Sequence, residues 1–376
     1  MPERERLAII WNNFGPYHMA RIQALKAHFD VIAIELASDQ RLYRWWRGDV
    51  DESVQTLTSG AWEDQDKLRV AIELWRKLSQ LRPRIILVPG WASLPALCAA
   101  IWGRTHRAKT LLMSESNFDD RARRFFAEAL KRLWVSLMFD AGVVGGKRAA
   151  SYLQLLGVPA ARIGVGYDVV DNGYFFSSAM QCRQEAAESG NKRGTPYFLF
   201  VGRLAPEKNI ATLLDAFDMY RDSGGAWALV IVGAGPLDWD LRGKAQRHIE
   251  IGTVVFAGHK MIHELPQYYA DAGCFVLPSI SEPWGLVVNE AMASGLPVIV
   301  SNACGCSDDL VEHEVNGFIV DPKNSTGLAA ALTRMSSASE EERGEMRTNS
   351  LKIISNYSPE RWVSEVRRIT SETQRN

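Results

Sequence analysis

Two basic and two acidic residues in the second half of this 376-residue sequence follow short apolar runs, where a strand would give way to a helix. Arg203 and Lys208 follow one of these runs, and Glu282 and Glu290 follow a later one. Arg offers phosphate oxygens a bidentate fork, and Lys offers them a mobile point charge. Carboxylates accept hydrogen bonds from vicinal hydroxyls. These residue types predict a site for a ligand that carries phosphate and hydroxyl groups.

The loop with the two cations precedes a helix that we expect to begin near Asn209. A cation at the positive end of a helix is mildly unfavourable unless an anion lies beside it. Arg203 and Lys208 therefore favour a bound phosphate. In the alternative interpretation, Arg203 pairs with Glu207 or Asp215 and Lys208 is solvated.

The two glutamates lie on either side of a second predicted helix start. Gly285 keeps Glu282 out of this helix, which we expect to begin near Leu286 and to carry Glu290 in its second turn. The carboxylates would then lie at two depths of one cleft, and an Asn289–Glu290 pair in an otherwise apolar helix indicates a polar ligand. Free backbone amides suited to phosphate would lie between them, at Gly285, Leu286 and Val287. Alternatively, Glu282 is an N-terminal cap and Glu290 a surface residue.

A glycine pair follows another apolar run. Gly233 and Gly235, with Pro236 after them, would let a ligand approach the backbone, although a tight turn explains them too. A dinucleotide fingerprint needs a further glycine where Asp238 stands, which argues against a dinucleotide-dependent oxidoreductase. Asp238 and Asp240 have the spacing of a metal-binding pair, but acids are ordinary in a first helical turn, and we expect no metal.

Apolar runs alternate with helical patterns along the whole chain, which indicates parallel α/β sheets with helices on both faces. The predicted strands cover 7–11, 31–36, 85–88, 110–113 and 142–144 in the first half, and 198–201, 228–232, 254–256, 275–278 and 298–300 in the second. Ligands bind at the carboxyl ends of strands in such sheets. The cation loop, the segment with the two glutamates and the glycine pair each follow a predicted strand.

The polar stretch 172–196 interrupts this rhythm and predicts an exposed linker between domains at 1–171 and 197–356. Hydrophobic residues make up 47%, enough for two cores, and the net charge of -1 argues against nucleic acid as a partner. The five scattered cysteines fit a reducing cytosol, and Cys304-Gly305-Cys306 is interpreted as a loop. The run at 7–11 is too short for a signal sequence or a membrane span, so we expect a soluble, cytoplasmic protein.

The ordered set of segments across 198–322 resembles glycosyltransferase family four, retaining enzymes of the GT-B fold. It is carried by Gly202-Arg203-Leu204 with Glu207-Lys208-Asn209, Gly233-Ala234-Gly235-Pro236, Val255-Phe256-Ala257-Gly258, Pro278-Ser279, the Glu282/Glu290 pair and Asn316-Gly317-Phe318. The first half resembles the family in outline, through Asn13-Phe14-Gly15 and the segment 166–171.

The resemblance implies two Rossmann-like domains facing a central cleft, with a C-terminal helix (357–376) crossing back to the first domain. It implies a nucleoside diphosphate sugar as donor, a hydroxyl acceptor at the first domain, and no cofactor or metal. Arg203 and Lys208 would hold the diphosphate, Glu282 the sugar and Glu290 the ribose. The loop Gly233–Pro236 and the segment 256–260 would line the base, and Asn13 and Gly15 would reach the phosphate or sugar from the first domain. Retention is attributed to front-face attack, in which the leaving phosphate deprotonates the acceptor.

The sequence departs from the family at a histidine that many members carry after a central strand of the first domain. That region here reads 112–117 as Leu-Met-Ser-Glu-Ser-Asn, so Glu115 or Ser116 is a candidate for a polar role. His18, at the start of the first helix, is another candidate, although a lone histidine is more often structural or solvated.

Two segments of the first half leave the acceptor side open. The run 41–47 mixes arginines with Tyr43, Trp45 and Trp46, which suits an acceptor sugar, a membrane interface or a half-buried strand. The predicted helix 119–139 carries five basic and three acidic residues beside large apolar ones. This pattern suits peripheral contact with anionic lipid or an amphipathic helix packed on its own sheet.

Two competing functions also remain. A nucleotide-sugar epimerase of the same fold would need an acid/base set that the sequence does not display. A non-catalytic nucleotide-sugar-binding regulator is disfavoured because Arg203, Lys208, Glu282 and Glu290 are all present.

Overall fold

A computed structural model describes residues 4–41, 53–118, 125–189 and 195–372. The chain forms two compact units. The first comprises Met1–Val169 and Pro359–Asn376, and the second comprises Val170–Ser358. Each unit contains one sheet with helices, as the alternating pattern predicts.

The sheet of the first unit is parallel and has the order β3-β2-β1-β4-β5-β6-β7. Its strands are β1 (Arg6–Trp11), β2 (Asp30–Glu35), β3 (Val54–Thr56), β4 (Ile85–Pro89), β5 (Lys109–Ser114), β6 (Ala141–Val144) and β7 (Ile163–Val165). Five of these strands were predicted. The edge strands β3 and β7 were missed because neither is a continuous apolar run: β3 reads Val-Gln-Thr and β7 reads Ile-Gly-Val.

The first five helices of the first unit are α1 (Pro16–Lys26), α2 (Lys67–Leu81), α3 (Leu94–Thr105), α4 (Phe125–Met138) and α5 (Lys147–Leu155). Asp66 starts α2 by accepting a hydrogen bond from the amide of Leu68 at 2.9 Å. Strands β4 to β7 lie side by side in chain order, so right-handed crossovers place α3, α4 and α5 on one face of the sheet. Trp102, Val135 and Tyr152 are buried in the core beneath them.

The sheet of the second unit is also parallel, in the order β10-β9-β8-β11-β12-β13. Its strands are β8 (Tyr197–Val201), β9 (Ala228–Val232), β10 (Val254–Gly258), β11 (Cys274–Leu277), β12 (Val298–Ser301) and β13 (Gly317–Val320). All but β13 were predicted. The chain runs outward from β8 to β10 and then returns to place β11 beside β8. The carboxyl ends of β8 and β11 therefore form a topological switch point, where open α/β sheets bind ligands.

The helices of the second unit are α6 (Asn172–Glu188), α7 (Ile210–Asp222), α8 (Asp238–Lys244), α9 (Gln246–Glu250), α10 (Leu265–Asp271), α11 (Leu286–Ala293), α12 (Ser307–Leu310), α13 (Ser325–Ser337) and α14 (Glu340–Ile354). Helix α6 corrects the predicted linker at 172–196, of which 190–194 lie outside the described residues. Phe175 and Ala179 are buried one turn apart, and Arg183 donates to the carbonyl oxygen of Ser294 at 2.7 Å. The segment was predicted to be a linker because its many polar residues, which lie on the outer face of α6, outnumber this narrow apolar stripe.

The last helix, α15 (Pro359–Glu372), belongs to the first unit, as the resemblance implied. It buries Trp362, Val366 and Ile369 completely. The ammonium group of Lys109, at the start of β5, donates to the carbonyl oxygen of Thr370 at 2.7 Å. Among the helices of the described residues, none is long and apolar enough to span a bilayer.

Candidate functional site

Lys208 and Glu282 meet at the switch point of the second sheet. The Lys208 ammonium forms an ion pair with the Glu282 carboxylate, and their side chains are only 18% and 12% exposed. The two loops are also joined by their backbones, because the amide of Ile280 donates to the carbonyl oxygen of Glu207 at 2.9 Å. From the sequence, each residue was predicted to bind a different part of a ligand. In the structure the two side chains contact each other. Lys208 is therefore not a solvated surface residue.

Arg203 is the second cation after β8. Its side chain is exposed, and across the described parts of the chain no hydrogen bond or ion pair holds its guanidinium. One predicted alternative partner, Asp215, instead pairs with Lys244 at 2.5 Å. This guanidinium, in the same loop as Lys208, offers a fork for an anion.

Asn209 links three segments around the ion pair, a role that the sequence did not reveal. Its backbone is in the left-handed region, with φ 57°, which Asn tolerates better than most residues. Its amide nitrogen donates to the carbonyl oxygens of Pro278 at 3.1 Å and Pro322 at 2.7 Å. Its amide oxygen accepts from the hydroxyl of Thr212 at 2.7 Å. Asn209 thus ties the ends of β11 and β13 to the start of α7.

Helix α11 begins at Leu286, as predicted. Gly285 precedes it with φ 107°, a conformation that glycine adopts without steric cost. Amides in a first helical turn have no partner within the helix, and the helix dipole favours an anion there. Leu286 and Val287 are only partly buried. The start of α11, directly after Glu282, can therefore receive an anionic group.

The loop after β12 fixes the backbone of Glu282. The amide of Gly305 donates to the carbonyl oxygen of Glu282 at 2.9 Å. A Cβ atom at Gly305 would lie 1.8 Å from the carbonyl oxygen of Pro283, so only glycine fits this approach. Burial raises the pKa of the neighbouring Cys304 thiol to about 12, which keeps it protonated. This loop therefore holds the backbone of Glu282 in place.

Asn289 and Glu290 are fully buried and have partners within the protein. The indole nitrogen of Trp284 donates to the Asn289 side-chain oxygen at 2.9 Å. The hydroxyl of Tyr269 donates to the Glu290 carboxylate at 2.8 Å. The polar groups of this pair are therefore satisfied without a ligand, and the prediction that they indicate one is wrong. A ribose contact by Glu290 stays a prediction, and it would require local movement because the side chain is not exposed.

The glycine pair after β9 has a structural explanation. Gly233 has φ 144°, and a Cβ atom there would lie 1.8 Å from the carbonyl oxygen of Gly202. A Cβ atom at Gly235 would lie 2.4 Å from the carbonyl oxygen of Leu204. The backbone that these glycines admit is the loop after β8, so they hold the cation loop in place. Pro236 is exposed beside them, and a ligand contact by this turn stays a prediction.

The segments near the predicted base site include a cation–π contact. The guanidinium carbon of Arg242 lies 4.6 Å from the ring centroid of Phe256. Arg242 also donates to the Asp238 carboxylate at 2.9 Å. Asp238 is thus engaged by a cation on its own helix. The described residues contain no group of three or more His, Cys, Asp or Glu placed to hold a metal ion.

Asn13 and Gly15 lie at the carboxyl end of β1 in the first unit. The Asn13 amide nitrogen donates to the Glu35 carboxylate at 2.9 Å, and the side chain is nearly fully buried. The Gly15 amide donates to the Nδ1 atom of His18 at 2.9 Å. Burial and the nearby Arg21 lower the pKa of His18 to about 3, so the imidazole is neutral. The observed contacts of Asn13 and Gly15 are all within the first unit, around the start of α1. Ligand contacts by these two residues stay predictions.

A buried charged cluster also lies in the first unit. Arg21 approaches Asp168 at 3.8 Å and stacks 4.4 Å from the ring centroid of Tyr167. Burial and the neighbouring Glu115 raise the pKa of Asp168 well above its ordinary value. Glu115, a candidate for the position of the family histidine, therefore lies close to a buried carboxyl group. In the segment 41–47, only Arg41 is described, and it pairs with Asp64 at 2.6 Å.

Comparison with known proteins relates part of this chain to a known family. Residues 183–352 match the family described as Glycosyl transferases group 1. The chain is 38% identical over 137 residues to an uncharacterized glycosyltransferase of Methanocaldococcus jannaschii, covering 36% of this chain and 35% of that protein. It is 34% identical over 142 residues to glycogen synthase of Mycobacterium tuberculosis, covering 38% and 34%. The matches span about a third of the length of these relatives.

Solved structures extend the likeness to the whole fold. Anabaena HepE in complex with UDP has a TM-score of 0.74 at 18% identity, covering 98% of this chain and 100% of that one. Sucrose-phosphate synthase of Thermosynechococcus elongatus has a TM-score of 0.73 at 20% identity, covering 98% and 99%. The predicted GT-B fold is confirmed. The match of residues 183–352 agrees with the predicted resemblance at the level of glycosyl transferases group 1.

Proposed function

We propose that this chain is a retaining glycosyltransferase that moves a sugar from a nucleoside diphosphate sugar to a hydroxyl acceptor. The observation that carries the proposal is the Lys208–Glu282 ion pair at the switch point of the second sheet. It sets a cation for phosphate against a carboxylate for hydroxyls at the start of α11. The Anabaena relative of the same fold binds UDP, which supports a nucleotide ligand.

The donor diphosphate would lie between Arg203, Lys208 and the first amides of α11. The Lys208 ammonium would shift from the Glu282 carboxylate toward the phosphate. Glu282 would then accept hydrogen bonds from the transferred sugar. The site thereby exchanges one charge-assisted contact for others of similar strength. Glu290 would contact the ribose after the local movement described above.

The chemistry needs stabilisation of the leaving group. As the bond from the anomeric carbon to the diphosphate oxygen breaks, negative charge grows on the phosphate. Arg203, Lys208 and the helix amides stabilise this charge without reorganising. The acceptor oxygen bonds to the anomeric carbon from the same face, and its proton passes to the leaving phosphate. Neither a protein nucleophile nor a metal ion is required.

The test begins with calorimetry of the whole chain against UDP, GDP and ADP. Donor turnover is then measured across a panel of nucleotide sugars, with and without excess chelator. We expect one diphosphate to bind, one donor to be consumed despite the chelator, and the released or transferred sugar to keep its anomeric configuration by NMR. Lys208→Ala should weaken diphosphate binding and depress donor turnover, and Lys244→Ala is the matched surface control. Inversion of the sugar or restoration of lost activity by manganese would contradict the mechanism, and conversion of the donor into an epimeric sugar would contradict the function.

A further inference from the structure

The outer face of α4 carries a continuous row of large apolar side chains. They follow one another at intervals of three or four residues and are between 48% and 86% exposed: Phe126, Leu130, Leu133 and Leu137. This spacing places them on one face, over about 16 Å of helix. On the opposite face Val135 is fully buried in the core of the first unit. The helix cannot turn the row inward without removing Val135 from that core.

The helices around this row carry a strong excess of positive charge. Helices α3, α4 and α5 contain five basic residues, which are Arg104, Lys131, Arg132, Lys147 and Arg148, and one acidic residue, Glu128. Glu128 and Lys131 neutralise each other at 2.7 Å, and Arg104 approaches the carboxylate of Asp140, just before β6, at 3.8 Å. The positive excess therefore rests on Arg132, Lys147 and Arg148. The excess is local, since the whole chain has a formal net charge of -1.

The topology places one end of the row at the ligand-binding edge of the first sheet. Helix α4 leads into β6 and runs antiparallel to it, so Phe126 lies near the carboxyl ends of the strands. Phe118 follows β5 at this same edge and is also exposed. Its ring lies 6.4 Å from that of Tyr152, which contacts Lys131 of α4. Phe118 therefore extends the apolar surface toward the carboxyl edge.

We propose that the outer face of α4 lies on an anionic lipid surface. Its apolar row would enter the boundary between headgroups and acyl chains, and the basic residues around it would face lipid phosphates. An exposed helix face suits fluid acyl chains, because these need no groove of complementary shape. A second copy of the chain fits less well, because a two-fold contact sets the same positive surface against itself. A nucleic acid would meet the basic residues but leave the apolar row against phosphates.

The experiment is co-sedimentation of the full chain with vesicles of phosphatidylcholine, with and without phosphatidylglycerol. We expect binding to the anionic vesicles that weakens as salt increases. The double variant Leu130→Glu/Leu133→Glu should bind about tenfold more weakly or worse, because two carboxylates replace two inserted side chains. The control pair Leu68→Glu and Ile251→Glu changes residues of similar exposure, 60% and 61%, and should bind as the parent does.

Two further measurements make the result decisive. Circular dichroism should give equal unfolding midpoints for the parent and both double variants, and light scattering reports the oligomeric state. If the parent does not bind anionic vesicles, or if both double variants lose binding equally, the proposal is wrong. A dimer that dissociates in Leu130→Glu/Leu133→Glu, without vesicle binding by the parent, would assign this face to self-association. Nucleotide affinity should be unchanged in every variant, so failure here leaves the proposed transferase untouched.

Discussion

Lys208 and Glu282 lie 74 residues apart in the chain, yet their side chains form one ion pair at adjacent strand ends. In the proposed function each binds a different part of the donor, so the pair would couple phosphate binding to sugar binding. The coupling gives the first prediction.

Lys208→Ala should weaken nucleoside diphosphate binding for two reasons. It removes a charge-assisted contact, worth on the order of 1.5–3 kcal/mol, and it leaves the Glu282 charge to repel the phosphates. Adding Glu282→Gln should therefore restore part of the lost affinity, by a few-fold, in calorimetry. Nucleoside alone should bind equally to all these variants. If the second substitution lowers the affinity further, the two side chains do not oppose each other at the phosphate.

The two glutamates should behave differently in the wild-type background. Glu282→Gln should leave diphosphate affinity undiminished but depress turnover, because its proposed partner is the sugar. Glu290→Gln should weaken diphosphate binding, because the ribose is common to donor and product. Equal profiles for the two variants would refute this division of roles.

Tyr269→Phe separates ligand binding from structure at Glu290. It deletes the hydroxyl that donates to the buried carboxylate at 2.8 Å, and should cost about 1–3 kcal/mol of stability in urea unfolding. If Glu290 serves structure alone, Glu290→Gln and Tyr269→Phe will lower stability alike and leave diphosphate affinity unchanged.

Gly233→Ala should destabilise the second unit by about 3 kcal/mol or more, because the new methyl group would overlap the carbonyl oxygen of Gly202. Gly243→Ala is the matched control, since nothing lies within 4 Å of its Cβ position. Gly243 is in α8, where alanine should stabilise by about 0.5–1 kcal/mol. Thermal or urea unfolding distinguishes the two, and similar midpoints would place the close contact in doubt.

His18 should make the first unit less stable as pH falls. Its pKa is about 3 in the folded protein and near 6.5 when unfolded, so the unfolded chain binds the extra proton between these values. The stability due to the neutral ring is complete above pH 6.5 and declines below it, by about 1.4 kcal/mol per pH unit. The raised pKa of Asp168 acts in the opposite direction, so the comparison is with His18→Asn, which should remove the His18 contribution to the slope. An NMR titration that shows His18 protonating near pH 6 would contradict this.

The sequence was informative where the signal is local. Apolar runs predict ten of the strands. Gly285 predicts the start of α11, because the conformation of its backbone depends on its immediate neighbours. Asn209 shows where such reasoning ends, because its amide nitrogen binds carbonyl groups 69 and 113 residues away. The same holds for Asn289 and Glu290, whose polar character suggested a ligand although Trp284 and Tyr269 satisfy it. No local period encodes these partners.

Helix α15 has a consequence for the order in which the chain can fold. The second unit is continuous in sequence, from Val170 to Ser358, and all of its strands have been synthesised before α15 begins. The first unit starts earlier but lacks α15, which packs against β6 and β7, until Pro359–Glu372 have been synthesised. The half that is translated first is therefore completed last. In a chain truncated after residue 358, the second unit should resist protease and the first unit should be susceptible.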